Sequence, residues 1–144
     1  MVKIEGSVMI DRPVEEVWKF ISDISNLPKW EPAILEVRPT SAGPIGVGST
    51  IEIRRKNMTI PQRITEYEPN RKFTFVVTSG PAKGTTGTYS VEKIEEKTRI
   101  TVSGDFKVNG IYKLVGPFIT PSERREAVAS LGNVKRILES EAKS

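Results

Sequence analysis

The middle of this 144-residue chain alternates apolar and polar residues with a period of two, from residue 34 to residue 108. Short polar turns, such as the one at residues 68–72, separate the alternating segments. Alternation gives each strand one apolar and one polar face, and short turns join antiparallel neighbours. The pattern therefore predicts one antiparallel sheet with one apolar face. Pro61 lies inside one of these segments and predicts a bulge or an edge position there.

Helical spacing precedes the predicted sheet. Asp11 stands where a helix N-cap is expected, and Pro13 suits the first turn, because its missing N–H has no helical partner there. A second short helix is predicted from Asn26, its cap, with Pro28 just inside it. Four apolar residues recur at the spacing of one face of the first helix: Val14, Val17, Trp18 and Ile21.

A third helix is predicted at the C-terminal end. Thr120 and Glu123 have the spacing of a capping box, which makes Thr120 the N-cap, and Gly116-Pro117 predicts a kink or break before it. Gly132 costs about 1 kcal/mol relative to alanine inside a helix, so its small size predicts room for close packing on a strand, which is favoured, or for a bound ligand. The predicted apolar stripe contains five residues: Ala127, Val128, Leu131, Val134 and Leu138.

Composition indicates an ordinary globular protein with one domain spanning residues 1–144. Hydrophobic residues make up 37% and charged residues 28%, and no apolar run approaches the roughly 20 residues of a membrane span. The first ten residues have no signal-peptide pattern, so a cytoplasmic location and no integral membrane association are expected. The net charge of +4 is modest, and its two basic clusters, at 54–56 and 123–126, predict a solvated surface and no nucleic-acid partner.

The chain contains neither cysteine nor histidine. This excludes thiolate nucleophiles, Ser–His–Asp triads and metal sites with Cys or His ligands. Any catalysis would have to use carboxylate, Tyr, Lys or Arg side chains. No cofactor and no metal are expected, and no catalytic residue is assigned.

The stretch IDRPVEEVWKFISDISNLPKWEP at residues 10–32, followed by successive hairpins and a long helix, resembles the START-like superfamily, also called SRPBCC or helix-grip. The resemblance is closest to its polyketide cyclase/dehydrase-like branch, which includes coenzyme Q-binding proteins and proteins similar to one subunit of carbon monoxide dehydrogenase. It implies an α+β fold in which a curved antiparallel sheet of about six to seven strands wraps around the C-terminal helix. Two short helices follow the first strand, and an apolar cavity lies between sheet and helix.

The resemblance also implies a set of candidate cavity-lining residues, each of which is alternatively ordinary core. Trp30 is the strongest candidate, because it ends the second helix where the cavity is expected to open. Arg55 is in phase with Ile51 and Ile53, so it either anchors an acidic head group or reaches solvent. The other lining candidates are Ile53, Phe75, Tyr89, Val102, Phe106, Tyr112, Val115, Phe118 and Leu131.

Polar candidates and alternative functions remain open from the sequence. Gln62, Ser79, Tyr89 and Tyr112 join Arg55 as polar groups that face the expected cavity, whereas Asp23 and Glu31 are assigned to capping or the surface. The favoured function is binding or transport of an apolar small molecule such as a lipid, quinone or polyketide-like ligand. The alternatives are a cofactor-free cyclase/dehydratase, which requires converging polar groups, and a protein-interaction module with a filled core. Weak homodimerisation is also expected.

Overall fold

The computed structural model describes residues 2–56, 58–106 and 116–141, with side chains except at positions 2, 106, 116–124 and 126. The described residues form seven strands, one 3-10 turn and three α-helices. In chain order these are β1 (Val2–Ile10), α1 (Val14–Ser22), the 3-10 turn (Ile24–Asn26), α2 (Leu27–Trp30), β2 (Ile34–Pro39), β3 (Thr50–Arg55), β4 (Met58–Glu68), β5 (Lys72–Val77), β6 (Thr86–Ile94), β7 (Lys97–Phe106) and α3 (Gly116–Glu141).

The strands form one curved antiparallel sheet in the order β1-β7-β6-β5-β4-β3-β2. Strands β2 to β6 each pair with the next strand in the sequence, as the alternating pattern predicts, and a longer loop at residues 40–49 joins β2 to β3. Strand β1 pairs with β7 from Val2 opposite Phe106 to Ile10 opposite Thr98, which joins the two ends of the sheet-forming sequence. The α+β helix-grip fold is therefore confirmed, with seven strands, two short helices after β1 and a long C-terminal helix.

Helix α1 buries Val17, Trp18 and Ile21, in agreement with its predicted apolar face. The predicted N-cap is wrong, because the N-cap position belongs to Pro13 and no side chain caps this end. The backbone N–H of Asp11 instead donates to a carboxylate oxygen of Glu139, at 2.9 Å, on the distant helix α3. The two residues are 128 positions apart, so the local pattern at Asp11 contains no sign of this contact and indicates only a cap.

The connection from α1 to α2 is held by two short polar side chains. The carboxylate of Asp23 accepts hydrogen bonds from the backbone N–H of Ser25, at 3.1 Å, and from its hydroxyl, at 2.6 Å, which confirms a capping role for Asp23. Asn26 does stand at the N-cap of α2, with Pro28 in the first turn, but its side chain does not cap the helix. It donates to the carbonyl of Phe20, at 3.0 Å, and so fixes α2 relative to α1.

Strand β4 lies inside the sheet, so the prediction of an edge or a bulge at Pro61 is wrong. The β4–β5 ladder begins at Gln62 opposite Val77, and its irregularity falls between Ile64 and Glu66. The carbonyl of Pro61 accepts a hydrogen bond from the N–H of Thr78, at 3.0 Å, just beyond the end of β5. In an antiparallel strand, the backbone N and O of one residue point towards the same neighbouring strand. The nitrogen of Pro61 therefore points to the region just beyond the end of β5, where the missing N–H removes no hydrogen bond from the sheet.

Helix α3 begins at Gly116, with Pro117 in its first turn. The predicted start at Thr120 is therefore wrong, because Thr120 is already inside the helix and is not its N-cap. The stripe of α3 that faces β1, β7 and α2 buries Leu131, Val134 and Leu138. Val128 remains 38% exposed and packs at the edge of this stripe against Gly6.

The core lies between the apolar face of the sheet and the three helices. Its largest fully buried side chain is that of Trp30, and Ile10, Ile21, Ile100 and Leu131 surround the same region. Among the described residues, no helix combines the length and the apolar character needed to cross a membrane.

Gly132 does not pack closely on a strand, contrary to its prediction. Apart from its chain neighbours and the adjacent backbone of α3, a Cβ atom at this position would meet no atom of the described residues within 4 Å. We expect Gly132→Ala to raise the free energy of unfolding by about 0.5–1 kcal/mol, because alanine restricts the unfolded chain and favours the helix. Urea denaturation followed by circular dichroism measures this change.

The contrasting substitution is Gly6→Ala in β1. A Cβ there would lie 2.6 Å from Cγ2 of Val128, so the Val128 side chain, or α3 with it, must shift, and stability should fall. A loss of stability in Gly132→Ala equal to that in Gly6→Ala would contradict the open position of Gly132.

Candidate functional site

Two adjoining cavities lie between the apolar face of the sheet and the helices. The small cavity, of about 70 Å³, is bounded by α1, α2 and strands β3 to β6. The large cavity, of about 190 Å³, extends along β3 to β7 towards α3. Because the two cavities share five lining residues, we treat them as parts of one site, and we call these residues the shared wall: Glu31, Ile53, Gln62, Phe75 and Tyr89.

Aromatic rings form much of the cavity surface. The rings of Phe75 and Tyr89 stack with their centroids 6.4 Å apart and their planes 28° apart, and Phe73 adds a third ring 5.3 Å from Tyr89. Gly87 lies opposite Phe75 in the sheet, and a Cβ there would be only 2.5 Å from Phe75 Cζ. The absence of a side chain at Gly87 therefore lets the outer end of the Phe75 ring lie directly over β6. Such a surface suits flat apolar or aromatic ligands.

A carboxylate and a phenol meet on the shared wall. The hydroxyl of Tyr89 donates a hydrogen bond to Oε1 of Glu31, at 2.7 Å. Glu31 occupies the residue after α2, and Tyr89 lies in the middle of β6. Glu31 also stands at the C-cap of α2, where its backbone N–H donates to the carbonyl of Leu27 at 2.8 Å, so its assignment to capping is confirmed. The side-chain contact with Tyr89 is additional to that role and is not predicted from the sequence. The sequence neighbourhood of Glu31 contains no signal for this contact, because the partner is 58 residues away.

Gln62 is the amide group of the shared wall. It is 8% exposed and lies on the same face of β4 as Ile60 and Ile64, because the three residues are spaced by two along the strand. This spacing is why the sequence pattern places Gln62 towards the cavity. Within the part of the chain that the structure describes, its carboxamide makes no hydrogen bond. Arg55, at the end of β3, is half-buried and lines the large cavity.

The predicted lining residues separate into three groups. Ile53, Arg55, Phe75, Tyr89 and Val102 line one or both cavities. Trp30 and Leu131 are fully buried, with no exposed surface, and are not among the residues that line either cavity. Phe106 and Phe118 lack described side chains, and Tyr112 and Val115 lie outside the described residues. Contact of any of these residues with a ligand stays a prediction.

Trp30 supports the shared wall from behind. Its ring lies edge-on to that of Tyr89, with centroids 5.4 Å apart and planes at 90°. Its Nε1 is buried and makes no hydrogen bond within the described chain. The carbonyl of Trp30 accepts a hydrogen bond from Asn133 on α3, at 3.1 Å, so this residue joins α2, the sheet and α3. Ser79, in contrast, is exposed and lies away from both cavities.

Two resolved pKa shifts of carboxylates belong to surface pairs outside the cavities. The hydrogen bond from Arg12 lowers the pKa of Glu16, and the hydrogen bond from Lys72 lowers the pKa of Glu66. Both pairs are largely hydrated and contribute little to stability. In the described ranges, no three acidic side chains converge as ligands for a metal ion.

Solved structures of other proteins share this architecture. A protein from Nitrosospira multiformis has 17% identity and a TM-score of 0.77, with 99% of this chain and 100% of that chain covered. The Zhui aromatase/cyclase from Streptomyces sp. R1128 has 17% identity and a TM-score of 0.77, with 98% and 95% covered. The Aha1 dimer from Colwellia psychrerythraea has 19% identity and a TM-score of 0.70, with 94% of each chain covered. At these identities, the likeness shows the fold alone.

Sequence comparison gives the family. No curated protein has a significantly similar sequence. The model of the family described as "Polyketide cyclase / dehydrase and lipid transport" matches residues 1–139, which is nearly the whole chain. The resemblance of the sequence to the SRPBCC polyketide cyclase/dehydrase-like branch is thereby confirmed. The chain belongs to the polyketide cyclase/dehydrase and lipid transport family.

Proposed function

We propose that this protein binds an apolar small molecule, such as a lipid, a quinone or a polyketide-like ring system, in the two adjoining cavities. The observation that carries the proposal is the lining of these cavities, which is mainly aliphatic and aromatic around a few polar groups. This is the usual composition of a small-molecule site. The family description, with its cyclase and lipid transport members, agrees with it.

The dimensions support a ring-containing occupant. An apolar cavity of about 150 Å³ inside a protein is enough to bind benzene. The large cavity alone is about 190 Å³, and it continues into the small cavity along the shared wall. Transfer of apolar surface from water into this space is favourable by about 25 cal/mol per Å². A substituted ring or a short fused system therefore fits without rearrangement of the sheet.

A substitution that fills the large cavity tests this function. Ala127 on α3 lines that cavity, so Ala127→Phe should place a ring in the space the ligand would occupy. We expect native mass spectrometry of gently purified wild-type protein to show an added mass that organic extraction removes. In Ala127→Phe, the affinity should fall by about tenfold or more, which corresponds to about 1.4 kcal/mol of binding free energy, and the occupied fraction should fall with it.

Ala129→Phe is the matched control, because Ala129 lies on the exposed side of the same helix. It should retain the added mass of the wild type. Equal loss of the added mass in both variants would mean that an aromatic residue disturbs α3 as a whole, and that the loss does not come from filling the cavity. Wild-type protein that is always empty, with an interior closed by side chains, would contradict the proposal.

A cofactor-free cyclase/dehydratase is the second candidate, and the Glu31–Tyr89 pair favours it. A phenol hydrogen-bonded to a carboxylate can transfer a proton to and from a bound carbonyl oxygen, which cyclisation and dehydration both require. The aromatase/cyclase from Streptomyces shares the fold and motivates the comparison. An enzyme of this class would change its ligand, whereas a carrier would release it intact.

Incubation with a linear poly-β-ketone thioester distinguishes the two candidates. Catalysis predicts a product lighter by the mass of water, formed at least tenfold more slowly by Tyr89→Phe, which keeps the ring but loses the hydroxyl. Recovery of the unchanged probe from wild-type protein that binds it would support the carrier. Mass spectrometry of the extracted organic phase makes the measurement.

Two further expectations stay predictions. Weak homodimerisation agrees with the dimer of the Aha1 neighbour from Colwellia psychrerythraea, and sedimentation velocity at two protein concentrations tests it. The cytoplasmic location is the other expectation, and it too stays a prediction.

A protein-interaction module with a filled core is disfavoured, because the described residues leave cavities of about 70 and 190 Å³.

A further inference from the structure

Gln62 is a largely buried polar side chain, 8% exposed, that lines both cavities and has no side-chain hydrogen bond within the described residues. Among the described residues, Nε1 of Trp30 is the fully enclosed side-chain polar atom without a partner, so the carboxamide of Gln62 is not sealed and remains open to the cavity space. Polar groups in such a position are nearly always hydrogen-bonded to protein or to a molecule beside them. What occupies the cavity therefore decides which partner the amide has.

The position of Gln62 identifies that space. Its side chain lines both cavities and so stands where they adjoin. Its apolar companions on the shared wall, Ile53 and Phe75, have no side-chain donor or acceptor. The two polar members, Glu31 and Tyr89, are hydrogen-bonded to each other at 2.7 Å. A hydrogen-bond partner for Gln62 would therefore come from an occupant of the cavities.

We infer that Gln62 recognises a hydroxyl or carbonyl group on an otherwise apolar, ring-containing ligand. The inference rests on the proposed function and deepens it by naming the ligand class. A carboxamide has two N–H donors and one carbonyl acceptor, so it matches both an alcohol or phenol and a ketone or quinone. The stacked rings of Phe75 and Tyr89 supply an adjacent surface for an aromatic ring. Pure hydrocarbon chains would leave Gln62 unpaired and should bind less well.

Two probes of nearly equal shape test the inference. 2-Naphthol carries a hydroxyl where 2-methylnaphthalene carries a methyl group, and the fluorescence of the naphthalene ring reports binding of both. We expect wild-type protein to bind 2-naphthol about tenfold more tightly than 2-methylnaphthalene. In Gln62→Met, which keeps the length of the side chain and removes the amide, this preference should disappear. Affinity for 2-methylnaphthalene should stay the same or rise.

Folding of the variant is measured alongside. Because Gln62→Met removes an unpaired buried amide, its thermal unfolding midpoint should equal or exceed that of the wild type. Gln62→Leu serves as a second apolar variant if methionine packs badly, and it should lose the same preference.

The possible results separate the inference from the function on which it rests. If both probes bind and Gln62→Met retains the preference of the wild type, or if the wild type has no preference, the inference is overturned and the proposed function stands. Absence of binding for both probes in wild-type protein overturns the proposed function and the inference together. Loss of the preference in Gln62→Met and Gln62→Leu, with 2-methylnaphthalene still bound, supports both.

Discussion

Replacement of Gly104 by alanine should lower the free energy of unfolding by about 3 kcal/mol, because overpacking against a fixed backbone has no cheap relief. A Cβ at Gly104 would lie 2.4 Å from the backbone oxygen of Thr86 and 3.2 Å from the Cα of Gly87. Gly104 pairs with Gly87 on one side and with Ile4 on the other, so both neighbouring strands hold it in place. Relief would require β6 and β7 to separate beside the large cavity. Urea denaturation with circular dichroism detection measures the loss.

Gly46→Ala is the matched control. Gly46 lies in the loop before β3 and has no positive φ, and a Cβ there would meet no atom within 4 Å in the described part of the chain beyond its two chain neighbours. The free energy of unfolding of Gly46→Ala should equal or slightly exceed that of the wild type, because alanine restricts the unfolded chain. An unfolding midpoint for Gly104→Ala that matches the one for Gly46→Ala would show that β6 and β7 are not as closely paired as described.

Trp30→Ala should also be severely destabilising, by about 3–5 kcal/mol, because it removes the largest fully buried side chain of the core. The loss reaches the cavity as well. The edge-on contact with Tyr89 disappears, so the Tyr89 ring is free to fall into the vacated space and to weaken its bond to Glu31. We therefore expect both lower stability and weaker binding of 2-naphthol.

Trp30→Phe separates packing from direct ligand contact. It keeps an aromatic ring beside Tyr89 and removes the buried Nε1, which makes no hydrogen bond in the described chain, so its cost should be well below that of alanine. Binding of 2-naphthol should be within about threefold of the wild type, which is less than 1 kcal/mol. A large loss of affinity in a stable Trp30→Phe protein would restore Trp30 as a ligand contact.

Local patterns predict the elements of the fold well. The alternation of Ile51 and Ile53 is reproduced by their burial on β3, and the spacing of Val17, Trp18 and Ile21 by their burial in α1. These patterns succeed because a residue's side of a strand or helix is fixed by its immediate neighbours. The pairing of β1 with β7 is not contained in local patterns, because the two strands lie far apart in the sequence, and it is seen only in the structure.

The errors fall where a distant residue decides the outcome. The sequence predicts Asp11 as a cap, but its backbone N–H is taken by Glu139, 128 residues away. Pro61 is typical of an edge, but β5 ends just short of it, so no strand loses a hydrogen bond there. In both cases the local rule is sound and a tertiary neighbour changes its result.

The site can be predicted only in part for the same reason. The phase of Gln62, Phe75 and Tyr89 along their strands predicts that they lie on the inner face, and the structure brings all three to the shared wall. Glu31 is missed, because its role depends on a tyrosine in another strand. Trp30 is expected at an opening and is instead fully buried behind Tyr89. Alternation gives the face of a residue, but it does not distinguish a cavity wall from filled core.

A crystal structure of the protein grown with 2-naphthol shows whether the space between sheet and helix receives an apolar ligand. We expect electron density for the naphthalene ring inside the large cavity, against Phe75 and within reach of Gln62 and Ala127. Density for the ring only on the outer surface, or an interior filled by protein side chains, would rule out ligand binding in this space.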